Sequence, residues 1–229
     1  MSLKLYANLV SQPSRAVAWL LKMKNVDHEF INVEIGGEFA KSQEFLDLNP
    51  NGYVPVIVDG DFVLYEANAI LAYLAEKFGW EELYPTKDLK TRSKINEYLH
   101  WHHTGARLFT TQIIRPLAKK QFGLATEQEL ALTEQTQEII AKHTAIIEKL
   151  LIKDYVARTG APTIADIALY CEYDQLEAIG VLDLKEFPKT LAWIARMKQI
   201  PYHDEIHLQM HAFVKVAGLS PEATTESTQ

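Results

Sequence analysis

The chain has 229 residues, a net charge of −7 and a pI of about 5.6, with 48% hydrophobic and 23% charged residues. These are ordinary globular proportions. The acidic balance repels an extended phosphate backbone and argues against nucleic acid as a partner, and no apolar run approaches the ~20 residues of a membrane span. The single cysteine, Cys171, excludes an internal disulfide or a thiolate metal cluster and suits a reducing, cytosolic setting.

Two periodicities share residues 1–80. Leu3 to Tyr6 reads as a strand. A polar loop follows, and then Ala16, Val17, Leu20 and Leu21 recur at helical spacing behind Pro13, a residue suited to a first helical turn. Glu29 to Val33 alternates as a second strand, Gly36-Gly37 breaks the chain, and Phe45 with Leu48 gives a short helical face. Val54 to Val58 and Phe62 to Tyr65 flank Asp59-Gly60, a hairpin signal because glycine accepts the positive φ of tight turns. Glu66 to Phe78 returns to helix, giving the order strand, helix, strand, helix, strand, strand, helix.

From Pro85 onward only the helical period remains, and proline and glycine stops divide residues 86–219 into about five helices. Thr163-Ile164-Ala165-Asp166 can close a helix N-terminus on itself. Residues 220–229 have almost no apolar content and are expected to form a disordered tail. The change of period sets the expected organisation: an α/β domain over 1–80, an all-helical domain over 86–219, then the tail.

The loop Asn8 to Pro13 joins the first strand to the first helix, at the carboxyl edge where open α/β sheets bind ligands. A hydroxyl at Ser11 can donate to an anion already favoured by the helix N-terminus, or it can simply cap the helix. Pro55 marks a sheet edge or a special turn, and a cis Val54-Pro55 bond would present the Val54 backbone to an extended ligand. Glu66, at a helix start, either compensates the dipole or receives an ammonium group while the adjacent N–H groups take a carboxylate. Both groups together describe an amino acid or a γ-linked peptide. His203, His207 and His211 fall one helical turn apart, a metal-ligand spacing, but Asp204 stands where a metalloprotease helix needs glutamate. That face is expected to be solvated or to rim a pocket, with no metal. Cys171 reads as inert core, and Arg107 as either a surface charge or a residue of the site's mouth.

Ser11-Gln12-Pro13-Ser14-Arg15-Ala16, Asn49-Pro50-Asn51-Gly52-Tyr53-Val54-Pro55-Val56 and Leu64-Tyr65-Glu66-Ala67-Asn68-Ala69-Ile70 resemble the cytosolic glutathione transferases of the theta class. Tyr98 to His102 with Arg107, and Thr163 to Asp166, extend the resemblance to roughly residues 3–215. It implies a thioredoxin-like α/β N-terminal domain, an all-α C-terminal domain, a homodimer, and glutathione as co-substrate without a further cofactor. It also implies that Ser11 hydrogen-bonds the glutathione sulfur, in preference to Tyr6, the hydroxyl used by other classes. Gln12, Lys41, Tyr53, Val54, Pro55, Glu66 and Ala67 would bind glutathione; Ala67 stands where the family usually has serine or threonine. A small electrophile would sit between the domains near Asn8, Arg107, His207 and His211. A non-catalytic module that keeps this fold for ligand carriage or assembly is the alternative.

Overall fold

The structure, a computed structural model, describes residues 3–219, so the expected tail lies outside the described residues. Strand β1 (Leu3–Ala7) leads into helix α1 (Gln12–Met23), β2 (His28–Asn32), the short helices α2 (Glu38–Lys41) and α3 (Gln43–Leu48), the hairpin β3 (Val56–Asp59) and β4 (Phe62–Tyr65), and α4 (Ala67–Lys77). The sheet order is β2-β1-β3-β4, with β1 parallel to β2 and antiparallel to β3. Asp59 pairs with Phe62, so the turn residues are Gly60 and Asp61, and Gly60 supplies a φ of +69°.

Alternation along β1 sorts the two faces of the sheet. Leu3, Leu5 and Ala7 join the main core with α1 and α4, while Tyr6 turns to a second cluster of Val33, Ala40, Phe45 and Val56 beneath α2 and α3. Val54 and cis Pro55 precede the first ladder pair, Val56 with Tyr65. The third strand therefore starts two residues later than the sequence suggests, leaving Val54 outside the ladder.

The remainder is helical: α5 (Leu89–His102), a π-helical segment (Phe109–Ile114), α6 (Arg115–Gln121), α7 (Glu127–Glu134), α8 (Thr136–Leu150), α9 (Ile164–Ala178), α10 (Pro188–Met197) and α11 (His203–Val216). The described residues thus hold seven α-helices here rather than about five. The count falls short because no proline or glycine separates α7 from α8, which meet at Gln135 and read as one helix in the sequence; Pro116 and Pro188 lie in the first turns of α6 and α10 and mark helix starts. The architecture is a thioredoxin-like α/β unit followed by an all-helical unit, as the resemblance implies.

Helix α9 sits at the centre. Its start is the expected capping box, with Thr163 Oγ1 accepting from the Ala165 N–H and Asp166 accepting from the Thr163 N–H at 2.9 Å. Asp166 also accepts from Val156 N–H and Trp193 Nε1 at 3.0 Å each, so every lone pair its burial strips of water finds a donor. Every residue from Ile164 to Leu176 is buried, and α9 packs against α1, α4, α5, α10 and α11. Trp19 Nε1 donates to the Pro201 carbonyl at 2.8 Å and Asn68 Nδ2 to the Leu99 carbonyl at 3.0 Å, tying the two units across their shared core.

Candidate functional site

Ser11 stands at the N-cap of α1, immediately after β1 and its loop. Its N–H donates to the Asn8 carbonyl at 2.9 Å and its carbonyl accepts from Arg15 at 3.0 Å, but its side chain makes no capping hydrogen bond. The capping role open to it in the sequence is therefore not how the hydroxyl is used. It stays half-buried at the positive end of a helix. Directly after β4, Glu66 occupies the N-cap of α4 with a φ of +71°, a left-handed conformation unusual for glutamate. Glu66 is exposed and Ala67, the first residue of α4, is half-buried.

The other expected glutathione positions differ in exposure. Lys41 ends α2 and is exposed, Tyr53 is 64% exposed, Val54 is half-buried and Pro55 is buried. Gln12 is different. Its amide is buried and donates to Glu172 Oε1 at 2.8 Å, so that end of the side chain faces the helical unit. Arg107 lies beyond a break in the helical path at Gly105, where any side chain would overlap the Trp101 indole. Its guanidinium remains a quarter exposed, with Nη1 3.5 Å from Glu172. Burial lowers its pKa, while the charges of Glu172 and Glu66 oppose the shift.

Two expectations for the second-substrate pocket need correcting. His207 is fully buried, so it cannot line a cleft; it packs edge-on to Trp19 and meets Arg15 and Asp174. Asn8 is buried and spent on its own loop and on β2, its oxygen accepting from Val10 N–H at 3.0 Å and its amide donating to Asn32 at 3.2 Å. His211 is part exposed and bonds Asp174 Oδ1 at 2.8 Å.

Sequence reasoning missed the residue that organises this region. Arg15 is 0% exposed, and all five of its N–H groups have an acceptor in reach. Nε faces His207 Nδ1 at 3.1 Å, Nη1 donates to the Leu9 and Val10 carbonyls at 3.1 and 2.9 Å, and Nη2 reaches the Cys171 carbonyl at 3.1 Å and Asp174 Oδ2 at 3.4 Å. One guanidinium therefore joins the loop before Ser11 to α9 and α11. Asp174, His203 and His207 bring potential metal-ligand atoms within 4.8 Å of one another, but Arg15 already supplies a cation to two of them. Burial favours neutral Asp174, yet the bond from His211 and the Arg15 charge hold its carboxyl well below the usual range. Burial pushes His207 down to about 4, while the bond to Asp174 raises His211. Cys171 is inert as expected, its thiol pushed far up by burial.

Comparison with known proteins agrees with this architecture. The glutathione S-transferase N-terminal domain family matches residues 1–76 and the C-terminal domain family matches residues 107–201. Glutathione S-transferase T1 of Arabidopsis thaliana is 33% identical over 219 residues, covering 90% of this chain and 88% of the relative. Human glutathione S-transferase theta-2B is 31% identical over 204 residues, covering 86% and 81%. A solved human theta-class glutathione transferase, in complex with the glutathione conjugate of 1-menaphthyl sulfate, superposes with a TM-score of 0.82 at 30% identity, over 98% of this chain and 96% of that one. From residue motifs to whole-chain topology, these findings place the chain in the glutathione S-transferase family, among relatives that carry the theta name.

Proposed function

We propose that this chain conjugates glutathione to small electrophiles, with the Ser11 hydroxyl stabilising the glutathione thiolate. The observation that carries the reading is the placement of that hydroxyl: at a helix N-terminus, on a ligand-binding sheet edge, and not engaged in capping. Tyr6, the rival hydroxyl, packs against Phe45 in the cluster under α2 and α3, its ring centroid 6.1 Å away. The energetics suffice. A thiol of pKa about 8.5 is about 3% ionised at pH 7, and majority ionisation needs about 2.7 kcal/mol. A hydrogen bond to a charged group contributes about 1.5–3 kcal/mol and the helix N-terminus about 0.3–1. The thiolate then attacks the electrophilic carbon and the leaving group departs with the bonding pair, so the enzyme forms no covalent intermediate of its own.

In this reading the Val54 backbone pairs with the cysteinyl unit, Lys41 faces the glycyl carboxylate, and Glu66 takes the ammonium group while the first N–H groups of α4 take the γ-glutamyl carboxylate. Tyr53 and Pro55 shape the rim. The electrophile occupies the cleft between the units, with Arg107 toward its leaving group. We also read the protein as a cytosolic homodimer, with the segment between α4 and α5 as the link between its domains; no helix among the described residues is long and apolar enough to cross a membrane. The test compares Ser11→Ala with Tyr6→Phe in glutathione-dependent turnover. Ser11→Ala should remove most activity at pH 7 and Tyr6→Phe little; equal losses, or a loss confined to Tyr6→Phe, would refute the assignment.

A further inference from the structure

Glu172, on α9, has no exposed surface, and side chains from four segments converge on its carboxylate. Oε1 accepts from Gln12 Nε2 at 2.8 Å and lies 3.5 Å from both Arg107 Nη1 and His102 Nε2. Oε2 accepts from Thr110 Oγ1 and Gln175 Nε2 at 2.7 Å each. Thr110 belongs to the π-helical segment, a geometry that recurs at functional sites. Burial by itself would neutralise such a carboxyl, but His102, Arg107 and Thr110 hold it below the ordinary glutamate value, so it carries a charge at neutral pH. The other ionisable groups around it are Tyr98 on α5 and, one turn or less along α9, Cys171 with the Arg15–Asp174 pair.

The origin of these donors gives the carboxylate its significance. Gln12 is the residue after Ser11 and opens α1; Arg107 comes from the helical unit, beyond α5, and turns part of its guanidinium to solvent. A buried charge with this many donors is overdetermined in position, so it fixes whatever it holds. We propose that Glu172 is a positioning residue of the reaction centre, holding Gln12 and Arg107 to one carboxylate and so fixing the start of the Ser11 helix relative to the cationic wall of the cleft. This rests on the reading of Ser11 as the group that activates glutathione. Charge and reach can be separated. Glu172→Gln removes the negative charge at nearly constant shape, leaving Arg107 less compensated, so a thiol bound at Ser11 ionises at lower pH. Glu172→Asp keeps the charge but cannot reach Gln12 while still bonded to Thr110 and Gln175.

The experiment titrates the ultraviolet absorbance of bound glutathione thiolate against pH in wild type and both variants, and measures kcat and KM with 1-menaphthyl sulfate. Glu172→Gln should move the thiolate midpoint down by about half a pH unit or more. Glu172→Asp should leave the midpoint in place and lower kcat about tenfold or more, with the glutathione KM nearly unchanged. A purely structural glutamate would lower thermal stability without this split. If either variant fails to fold, Gln12→Met cuts the same tether from the Ser11 side and should show the same kcat loss; full kcat there overturns the proposal. A wild type that ionises glutathione, with variants that match it, overturns this proposal alone. A wild type that neither ionises nor turns over glutathione overturns the Ser11 reading and this one with it.

Discussion

Replacing Arg15 by lysine keeps the buried charge and removes the fork. Lysine brings three N–H donors on one nitrogen, whereas the five acceptors around Arg15 lie on three separate segments: Leu9 and Val10 before α1, Cys171 and Asp174 on α9, and His207 on α11. One ammonium group cannot serve both the loop carbonyls and α9, so at least two acceptors lose their donor. Each buried, unpartnered acceptor costs about 1–3 kcal/mol, so two of them cost about 2 kcal/mol at the low end of that range and about 4 kcal/mol at its middle. For a chain of this size that is a fall in Tm of roughly 4–16 °C. Arg92→Lys supplies the control. Arg92 sits at the surface over the Tyr84 ring and pairs with Glu76 at 2.9 Å, so the same substitution there should cost under about 1 kcal/mol. Urea unfolding followed by far-ultraviolet circular dichroism gives both values on one scale. If Arg15→Lys is no more destabilising than Arg92→Lys, then the charge alone holds the loop to α9 and α11, and the argument from the fork fails.

The histidines on α11 predict a stability maximum near pH 6.5. His207, depressed to about 4 from 6.5, is protonated in the unfolded chain first, so stability is lost as pH falls from about 6.5 to 4. His211, raised from 6.5, contributes stability that is present below 6.5 and lost as pH rises through its folded value, and His211→Gln should flatten that upper limb in urea midpoints while leaving the lower one. A stability that climbs steadily as pH drops below 6.5 would contradict this. Gly105→Ala should drive a methyl group into the Trp101 ring and cost about 1–3 kcal/mol, read as a lower Tm with altered tryptophan fluorescence; unchanged values would mean the chain shifts there freely. Ala67→Ser should tighten glutathione binding by about 0.5–1.5 kcal/mol in calorimetry, since the neighbouring Asn68 amide is committed to the Leu99 carbonyl and cannot serve the ligand with that group. Equal or weaker binding would place the γ-glutamyl carboxylate elsewhere.

Local signals located the first unit well. Strand alternation, the hairpin signalled by Asp59-Gly60 and the loop around Ser11 are written in residues a few positions apart, where sterics and periodicity act directly. The networks that hold the site were not legible in the same way. Arg15 meets Cys171 and His207, and Gln12 meets Glu172, across more than 150 residues of chain, and no spacing rule encodes such a contact. One clue was present. Asp166, Glu172 and Asp174 interrupt the apolar run that begins at Ile164, and a helix buried on all sides must pair every charge it carries. His207 was not legible as core for a related reason: a helical face tells which residues lie together and not what they lie against.

Because α9 is covered by elements drawn from both ends of the chain, its position matters during synthesis. The apolar face of α1 and α4, with Leu20, Leu71 and Leu74 fully buried in the finished fold, finds its main cover only when α9 has been made. Roughly 100 residues separate the end of α4 from the end of α9, about 5–20 s of translation at typical rates. Throughout that interval the first unit leaves the ribosome with an oily flank open to water. A nascent chain of this protein therefore offers chaperones an apolar surface until its ninth helix emerges, and a truncation between α4 and α9 leaves two helices whose cover never arrives.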